Sequence, residues 1–185
     1  ECAMLRLSVL LSQNRERAVV EKILPLDSPD AELVELAERT ARPLVVKTDL
    51  FGDLTLDRTL DRFEGRAEWN GRSIAVSFPR DENREIAGGL RTAEKLWADQ
   101  IAWKQRVEDY AIAELLELKN ENWLNDDEPP VTADEFKSRM TLTSITIENG
   151  GHLDFWHSDG DLFWGHSILV SGTLENGLIH ADIPG

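Results

Sequence analysis

The Asn70-Gly71 dipeptide constrains the fold of this chain more than any other short feature. Both residues adopt a positive φ readily, and Asn-Gly is the preferred pair for a two-residue type I′ hairpin turn. Such a turn sets the following residues opposite each other: Trp69 and Arg72, Ala67 and Ile74, Gly65 and Val76, and Phe63 and Phe78. Apolar residues alternate with polar ones along both arms. Because turn chemistry and alternation agree, the sequence predicts a hairpin in this register.

Two β-meanders are predicted, over residues 43–80 and 141–185, where strand-type residues alternate between turn signals. Residues 1–42, after a short apolar start, and residues 81–140 have helical composition. These four segments predict an α+β fold in which two antiparallel β-meanders pack with the N-terminal and central helices. A chain of 185 residues forms one domain, or two small domains that share a core.

The N-terminal segment contains two predicted helices. The first covers "RERAVVEKIL", which consists largely of helix-forming residues. The second lies in "LDSPDAELVELAERTA", with Asp27 or Ser28 as its N-cap and Pro29 in its first turn.

The central segment carries an apolar stripe at helical spacing between residues 86 and 118. Three tryptophans lie in the same region: Trp97, Trp103 and Trp123. They form either an aromatic binding patch or, as the stripe favours, part of the core. After the acidic "NDDEPP", Thr132 is the predicted N-cap of a short helix, with Glu135 in position for a capping box.

Three turn signals set the side-chain register of the second meander. They are "NGG" at 149–151, "DG" at 159–160 and "NG" at 176–177. A three-residue loop fits the first turn, because it places Ile145 and Ile147 on the apolar face. Two-residue loops are predicted at the other two turns.

These turns place a polar and aromatic set on the second face of the predicted sheet. Its members are His152, Asp154, Trp156, Phe163, Ser171, His180 and Asp182. The facing pairs are Trp156 with Phe163, Asp182 with Ser171, and His180 with Thr173. A Ser-His-Asp triad needs its histidine between the other two groups, so this register does not favour one. The histidines are also too scattered to share a metal ion, and we predict no metal site.

The net charge of −15 and its distribution limit the partners of the chain. A nucleic-acid binder needs a basic face, so that class is not expected. Residues 117–135 hold seven acids and one lysine, and no Lys or Arg follows Arg139. This distribution is compatible with a basic protein partner, or with solubility alone.

Other features of the composition exclude further classes. The single cysteine, Cys2, excludes a disulfide framework and a cysteine-based zinc site. No apolar run approaches the about 20 residues of a membrane span. The first residues lack the basic leader of a signal peptide. We therefore expect a cytoplasmic protein without a cofactor or membrane contact; the oligomeric state stays open.

The leading functional hypothesis is a non-enzymatic binding or interaction domain. Its candidate surface is the acidic second meander together with the "NDDEPP" loop. No nucleophile motif, phosphate loop or dinucleotide fingerprint occurs in the sequence. The alternative is a small-molecule-binding protein or enzyme whose ligand site is the polar set on the second face. A third hypothesis is a structural module that buries an apolar patch between copies.

The end of the chain also resembles a known family. "LELKNENWL", "DLFWGHSI", "GTLENG" and "ADIPG" resemble the bacterial domain-of-unknown-function family 2262, over roughly residues 45–185. The resemblance implies a small bacterial cytoplasmic protein with a C-terminal sheet. It brings no assigned activity and no catalytic residues. By analogy alone, related small domains suggest an accessory or toxin-immunity function.

Overall fold

The structure is a computed structural model, and it describes residues 5–12, 17–25 and 31–184. Within these residues it has four helices and ten strands, so the predicted α+β class is confirmed. The chain divides into two compact units, residues 1–44 and 45–185. In the described part of the chain, no helix is both long enough and apolar enough to cross a membrane.

The first unit contains a β-hairpin and a helix. β1 (Arg6–Leu11) pairs antiparallel with β2 (Ala18–Leu24), and α1 spans Ala31–Ala41. The helix predicted in "RERAVVEKIL" is therefore wrong over β2. That segment contains three β-branched residues, and pairing with β1 outweighs its helix-forming Glu and Lys. α1 confirms the second predicted helix. The predicted residues at its start lie outside the described residues: Asp27, Ser28 and Pro29.

The second unit is built on one eight-stranded sheet. Its strands are β3 (Val45–Thr48), β4 (Gly52–Asp57), β5 (Arg62–Trp69), β6 (Arg72–Pro79), β7 (Thr141–Ile147), β8 (His152–Ser158), β9 (Ser167–Thr173) and β10 (Gly177–Asp182). Their order is β10-β9-β8-β7-β6-β5-β4-β3. All neighbours are antiparallel except β6 and β7, which are parallel. Each predicted meander is thus present as four consecutive strands, and the parallel pair joins the two.

The β5–β6 hairpin has the predicted register, with all four facing pairs in place. Asn70 and Gly71 have φ angles of 48° and 79°, as a type I′ turn requires. The turn is also held from outside, because the Asn70 N–H donates to Oε1 of Gln100 at 2.7 Å.

Three helices lie between β6 and β7 in the sequence: α2 (Ala87–Ala98), α3 (Gln100–Asn122) and α4 (Ala133–Arg139). The apolar stripe predicted for this region is interrupted at Asp99, where α2 ends and α3 begins. Its phase changes there, so Ile101, which the stripe included, is 78% exposed.

The capping box predicted for α4 is confirmed. Thr132 Oγ1 accepts a hydrogen bond from the Glu135 N–H at 3.3 Å, and the Glu135 carboxylate accepts one from the Thr132 N–H at 2.8 Å. Phe136 follows directly and is fully buried, so the cap fixes where α4 begins and which residue anchors it.

Alternate residues of the strands form the core beneath the helices. The buried strand residues are Leu54, Leu56, Phe63, Ala67, Trp69, Ile74, Val76, Phe78, Ile145, Ile147, Leu153, Phe155, Ile168 and Val170. Trp97 and Trp103 are buried against them, so the expected core packing is confirmed for these two tryptophans. The three-residue loop at 149–151 is also confirmed, because Ile147 pairs with Leu153 and both lie in the core.

The two-residue loop predicted at Asp159-Gly160 is wrong. His157 pairs with Ile168, so the connection between β8 and β9 is the eight-residue loop 159–166. Five residues that the two-residue turn would place in strands lie in this loop instead, and so belong to neither face of the sheet: Asp161, Leu162, Phe163, Trp164 and His166.

The two-residue loop predicted at Asn176-Gly177 is wrong as well. Gly177 pairs with Thr173, which leaves a three-residue turn at 174–176. The hydroxyl of Thr173 accepts a hydrogen bond from the Asn176 N–H at 2.9 Å and so closes this longer turn.

The register of β10 changes again at a bulge between Leu178 and His180. His180 consequently pairs with Ser171, and Asp182 pairs with Leu169. The predicted pairs, His180 with Thr173 and Asp182 with Ser171, are both absent for this reason.

Candidate functional site

Three residues of the polar set predicted on the second face lie along one line across the sheet: Asp154, Ser171 and His180. Strand pairing places seven side chains in this line: Thr55, Glu64, Ser77, Thr146, Asp154, Ser171 and His180. We call this line the polar row. It lies on the face opposite the helix-covered core. Its middle residues line a groove of about 700 Å³ together with Trp156: Glu64, Ser77, Thr146 and Asp154.

Three predicted site residues meet in the polar row and beside it. Asp154 Oδ1 accepts a hydrogen bond from the Ser171 hydroxyl at 2.6 Å, and His152 Nε2 lies 3.0 Å from the same oxygen. The carboxylate is therefore the shared partner of serine and histidine. A nucleophilic serine needs a histidine as its own base, and this geometry supplies none.

The remaining predicted residues are less closely associated. His180 and Asp182 are exposed, with Nε2 and Oδ2 3.8 Å apart. Trp156 pairs with Leu169, so the predicted aromatic pair with Phe163 is wrong. Phe163 is fully buried and contacts other core rings instead.

The loop 159–166 is organised by one carboxylate. Asp159 is buried, and its oxygens accept hydrogen bonds from the N–H groups of Asp161 (3.2 Å), Phe163 (2.7 Å) and Gly165 (3.1 Å). A short acidic side chain satisfies nearby backbone donors in this way in many turns. The loop is therefore a closed turn with a fixed shape rather than a continuation of the ladder.

This loop directs two neighbouring aromatic rings in opposite directions. Phe163 enters the core, where its centroid lies 6.0 Å from that of Phe136. Trp164 follows with φ 56° and is 56% exposed. The centroid of its ring lies 4.8 Å from that of the half-buried Trp123, and the Trp123 centroid lies 5.4 Å from that of His166. Trp164 thus packs against Trp123, which itself packs against His166.

The segment after α3 forms the second half of this region. Lys119 is fully buried, and its Nζ donates to the Trp123 carbonyl at 2.7 Å and to Glu128 at 3.1 Å. The Asn125 N–H, and then Lys119, hold the pKa of the Glu128 carboxyl below its usual value. The carboxylate is therefore ionised and closes the turn at 125–128.

Arg139 connects the two loops. Its Nε donates to the Gly160 carbonyl at 2.9 Å, and its Nη1 lies 3.7 Å from Glu128. Around the junction, several side chains are exposed or half-buried: Trp123, Asp126, Asp127, Asp161, Trp164 and His166. We call these six residues the aromatic–acidic surface. Arg139 lies at this junction, and no Lys or Arg follows it in the sequence.

Sequence reasoning missed the aromatic half of this surface. The two-residue turn predicted at Asp159-Gly160 continues a strand through Trp164, and Trp123 is half-buried where it packs against the core. One signal pointed to the loop: glycines 160 and 165 flank it, and both adopt a positive φ, at 56° and 89°. In the ranges 5–12, 17–25 and 31–184, no group of three or more His, Cys, Asp or Glu residues is placed to hold a metal ion.

Residues 48–183 match the model of DUF2262, a family described as "Uncharacterized protein conserved in bacteria". The chain belongs to this family. The resemblance seen in the sequence is thereby confirmed, and the DUF2262 match includes both the polar row and the aromatic–acidic surface. No curated protein and no solved structure matches the chain.

Proposed function

We propose that this DUF2262 domain is a non-enzymatic binding domain that recognises a basic segment of a partner protein through the aromatic–acidic surface. One observation carries the proposal. Trp164, a bulky residue, is held at φ 56° and is 56% exposed to water.

The conformation of Trp164 is costly for folding. A left-handed backbone costs a residue with a side chain roughly 1–2 kcal/mol. The exposed part of Trp164, more than half of the residue, gains no free energy from burial that could offset this cost. Strained residues of this kind are concentrated at binding sites, where contact with a partner favours them. Display of Trp164 to a partner accounts for a geometry that packing does not.

Charge supports a basic partner in particular. Asp126 and Asp127 are exposed three and four residues after Trp123, and Asp161 is exposed three residues before Trp164. A lysine or arginine placed over an indole gains about 0.5–2 kcal/mol from the cation–π interaction. Neighbouring carboxylates add attraction that acts at long range and speeds association. Tryptophan is also among the residues that contribute most to binding at interfaces.

The arrangement around Asp154 and the analogy with immunity proteins bear on which kind of function we propose. Ser171 and His152 share the Asp154 carboxylate as one partner rather than forming a nucleophile and its base, which supports binding over catalysis. Neutralisation of a basic toxin is one version of this function, and it fits the analogy with immunity proteins. A cytoplasmic location is part of the same proposal, as is the lack of nucleic-acid binding.

Titration with a short arginine-rich peptide tests the proposal, using a glutamate-rich peptide of equal length as the charge control. We expect the arginine-rich peptide alone to bind. Trp164→Ala should weaken binding by about tenfold, a loss within the range of a cation–π contact. The matched variant Ile101→Ala, which removes an exposed side chain from α3, should leave the affinity unchanged.

Salt and charge variants complete the test. Raising the ionic strength from about 0.01 M to about 0.3 M should weaken binding several-fold, because surface charges are screened. The double variant Asp126→Asn with Asp127→Asn should weaken it too, whereas Glu82→Gln in an exposed loop should not. Equal affinity of wild type and Trp164→Ala, or indifference to salt, would contradict the proposal.

A small-molecule site in the groove of the polar row is the second candidate. The specific observation in its favour is the Asp154 carboxylate, held by Ser171 and His152 beside Trp156. Such a site predicts that a bound ligand quenches the fluorescence of Trp156. A screen that changes the Trp164 signal but never that of Trp156 would exclude it.

A further inference from the structure

A separate cavity lies between helices α3 and α4 and the core face of the sheet. Its volume is about 280 Å³, close to the lower end of the range for small-molecule pockets. Polar residues at its walls are Asn70, Arg72, Lys104, Glu108, Lys137 and His157. Apolar contacts come from Val107, Met140 and Leu142. The cavity therefore combines an apolar body with converging polar groups, as ligand pockets do.

His157 is the deepest polar residue of this cavity. It is only 4% exposed, and its Nδ1 atom is buried without a hydrogen-bond partner in the described part of the chain. Burial lowers its pKa to about 4, so the ring is neutral at pH 7. A buried polar atom without a partner costs roughly 1–3 kcal/mol.

The outer part of the cavity is rich in cations. Glu108 is buried and shared by Lys104 Nζ at 2.6 Å and Lys137 Nζ at 3.1 Å. The hydrogen bond to Glu108 raises the pKa of Lys137. Arg72 is exposed, and its guanidinium forms no ion pair with any described residue. Lys137 also lies 3.8 Å from Asp109, so both lysines are paired with carboxylates, and Arg72 is left as the rim cation that can bind an anionic group.

We infer that this cavity binds a small aromatic carboxylate. The carboxylate of the ligand contacts the guanidinium of Arg72 at the rim. Its ring occupies the apolar body beside Val107, Met140 and Leu142, and its inner edge reaches the imidazole of His157. A cation would be repelled by the rim, and a ligand much larger than a single ring system exceeds the volume. The site is independent of the aromatic–acidic surface.

Benzoate is the probe, and benzylamine, which carries the opposite charge on a similar ring, is the control. Both are titrated into the full chain while NMR follows the side-chain signals of His157. We expect saturable shifts of these signals with benzoate and none with benzylamine. Arg72→Gln should raise the dissociation constant of benzoate about tenfold, since it removes a charge-assisted contact. Arg66→Gln, an exposed arginine at the polar row, should leave it unchanged.

Trp164→Ala separates this inference from the proposed function, because it should weaken peptide binding about tenfold without changing benzoate binding. Three results would overturn the inference. The first is the absence of saturable shifts at His157 with benzoate. The second is equal binding of benzylamine, and the third is an equal loss of affinity in the Arg72 and Arg66 variants.

Discussion

Acid should destabilise this protein through His157 more than through any exposed histidine. Desolvation by burial lowers the pKa of His157 from 6.5 to about 4, although the Phe155 and Ile168 carbonyls and the Glu108 carboxylate act in the opposite direction. Between these two values the unfolded chain binds a proton that the folded chain does not. Stability therefore falls as the pH drops from about 6.5 to about 4, and this loss is complete below the folded pKa.

The size of the effect follows from the shift. A difference of one pKa unit corresponds to about 1.36 kcal/mol, so His157 alone removes about 3 kcal/mol between pH 7 and pH 4. This is a large fraction of the roughly 5–15 kcal/mol that stabilises a typical domain. His157→Phe removes the titrating group but keeps a ring of similar size, so it isolates the contribution.

Urea unfolding of the wild type and of His157→Phe at a series of pH values measures the contribution of His157 to stability. The free energy of unfolding of the wild type should fall about 3 kcal/mol further than that of His157→Phe between pH 7 and pH 4. His180→Gln, which replaces an exposed histidine, should follow the wild type. Parallel curves for the wild type and His157→Phe would refute the reasoning, because they would show that His157 titrates alike in both states.

Three other changes test the local structure by urea unfolding. Gly71→Ala should cost about 1–2 kcal/mol, because residue 71 has φ 79°, while Gly150→Ala, in open space without a positive φ, should cost little. Thr132→Ala should cost about 1 kcal/mol by removing the N-cap of α4; an unchanged midpoint would contradict the capping box. Asp159→Ala should cost about 2–4 kcal/mol, because three backbone donors lose their acceptor, and an unchanged tryptophan emission spectrum would argue against the closed loop.

Local signals predicted much of the second unit. The β5–β6 hairpin came from a dipeptide whose φ requirements agree with the alternation beside it, and α4 came from its capping box. The parallel pairing of β6 with β7 was beyond such signals. About sixty residues and three helices separate these strands, and no local sequence pattern predicts which strand edges pair across such a distance.

The site was harder to predict because its placement depended on one turn. Asp159-Gly160 matches a two-residue hairpin turn, but Asp159 binds three backbone N–H groups of its own loop instead. The hydrogen bonds to the Asp159 carboxylate therefore outweighed the turn preference of Asp-Gly. Residues 159–166 consequently lie in a loop rather than in the predicted strands. The N-terminal hairpin shows the same limit, since strand pairing outweighed the helical composition of β2. The "NDDEPP" loop stays a prediction as a binding surface, now with Trp123 and Trp164 beside it.

The indole N–H signal of Trp164 gives the most direct measurement of the central claim. NMR follows this signal while the arginine-rich peptide is added at low ionic strength. The account predicts a saturable shift of the Trp164 signal that weakens as salt is added, with the signals of buried Trp97 and Trp103 unchanged. A peptide that binds while the Trp164 signal stays in place would contradict it.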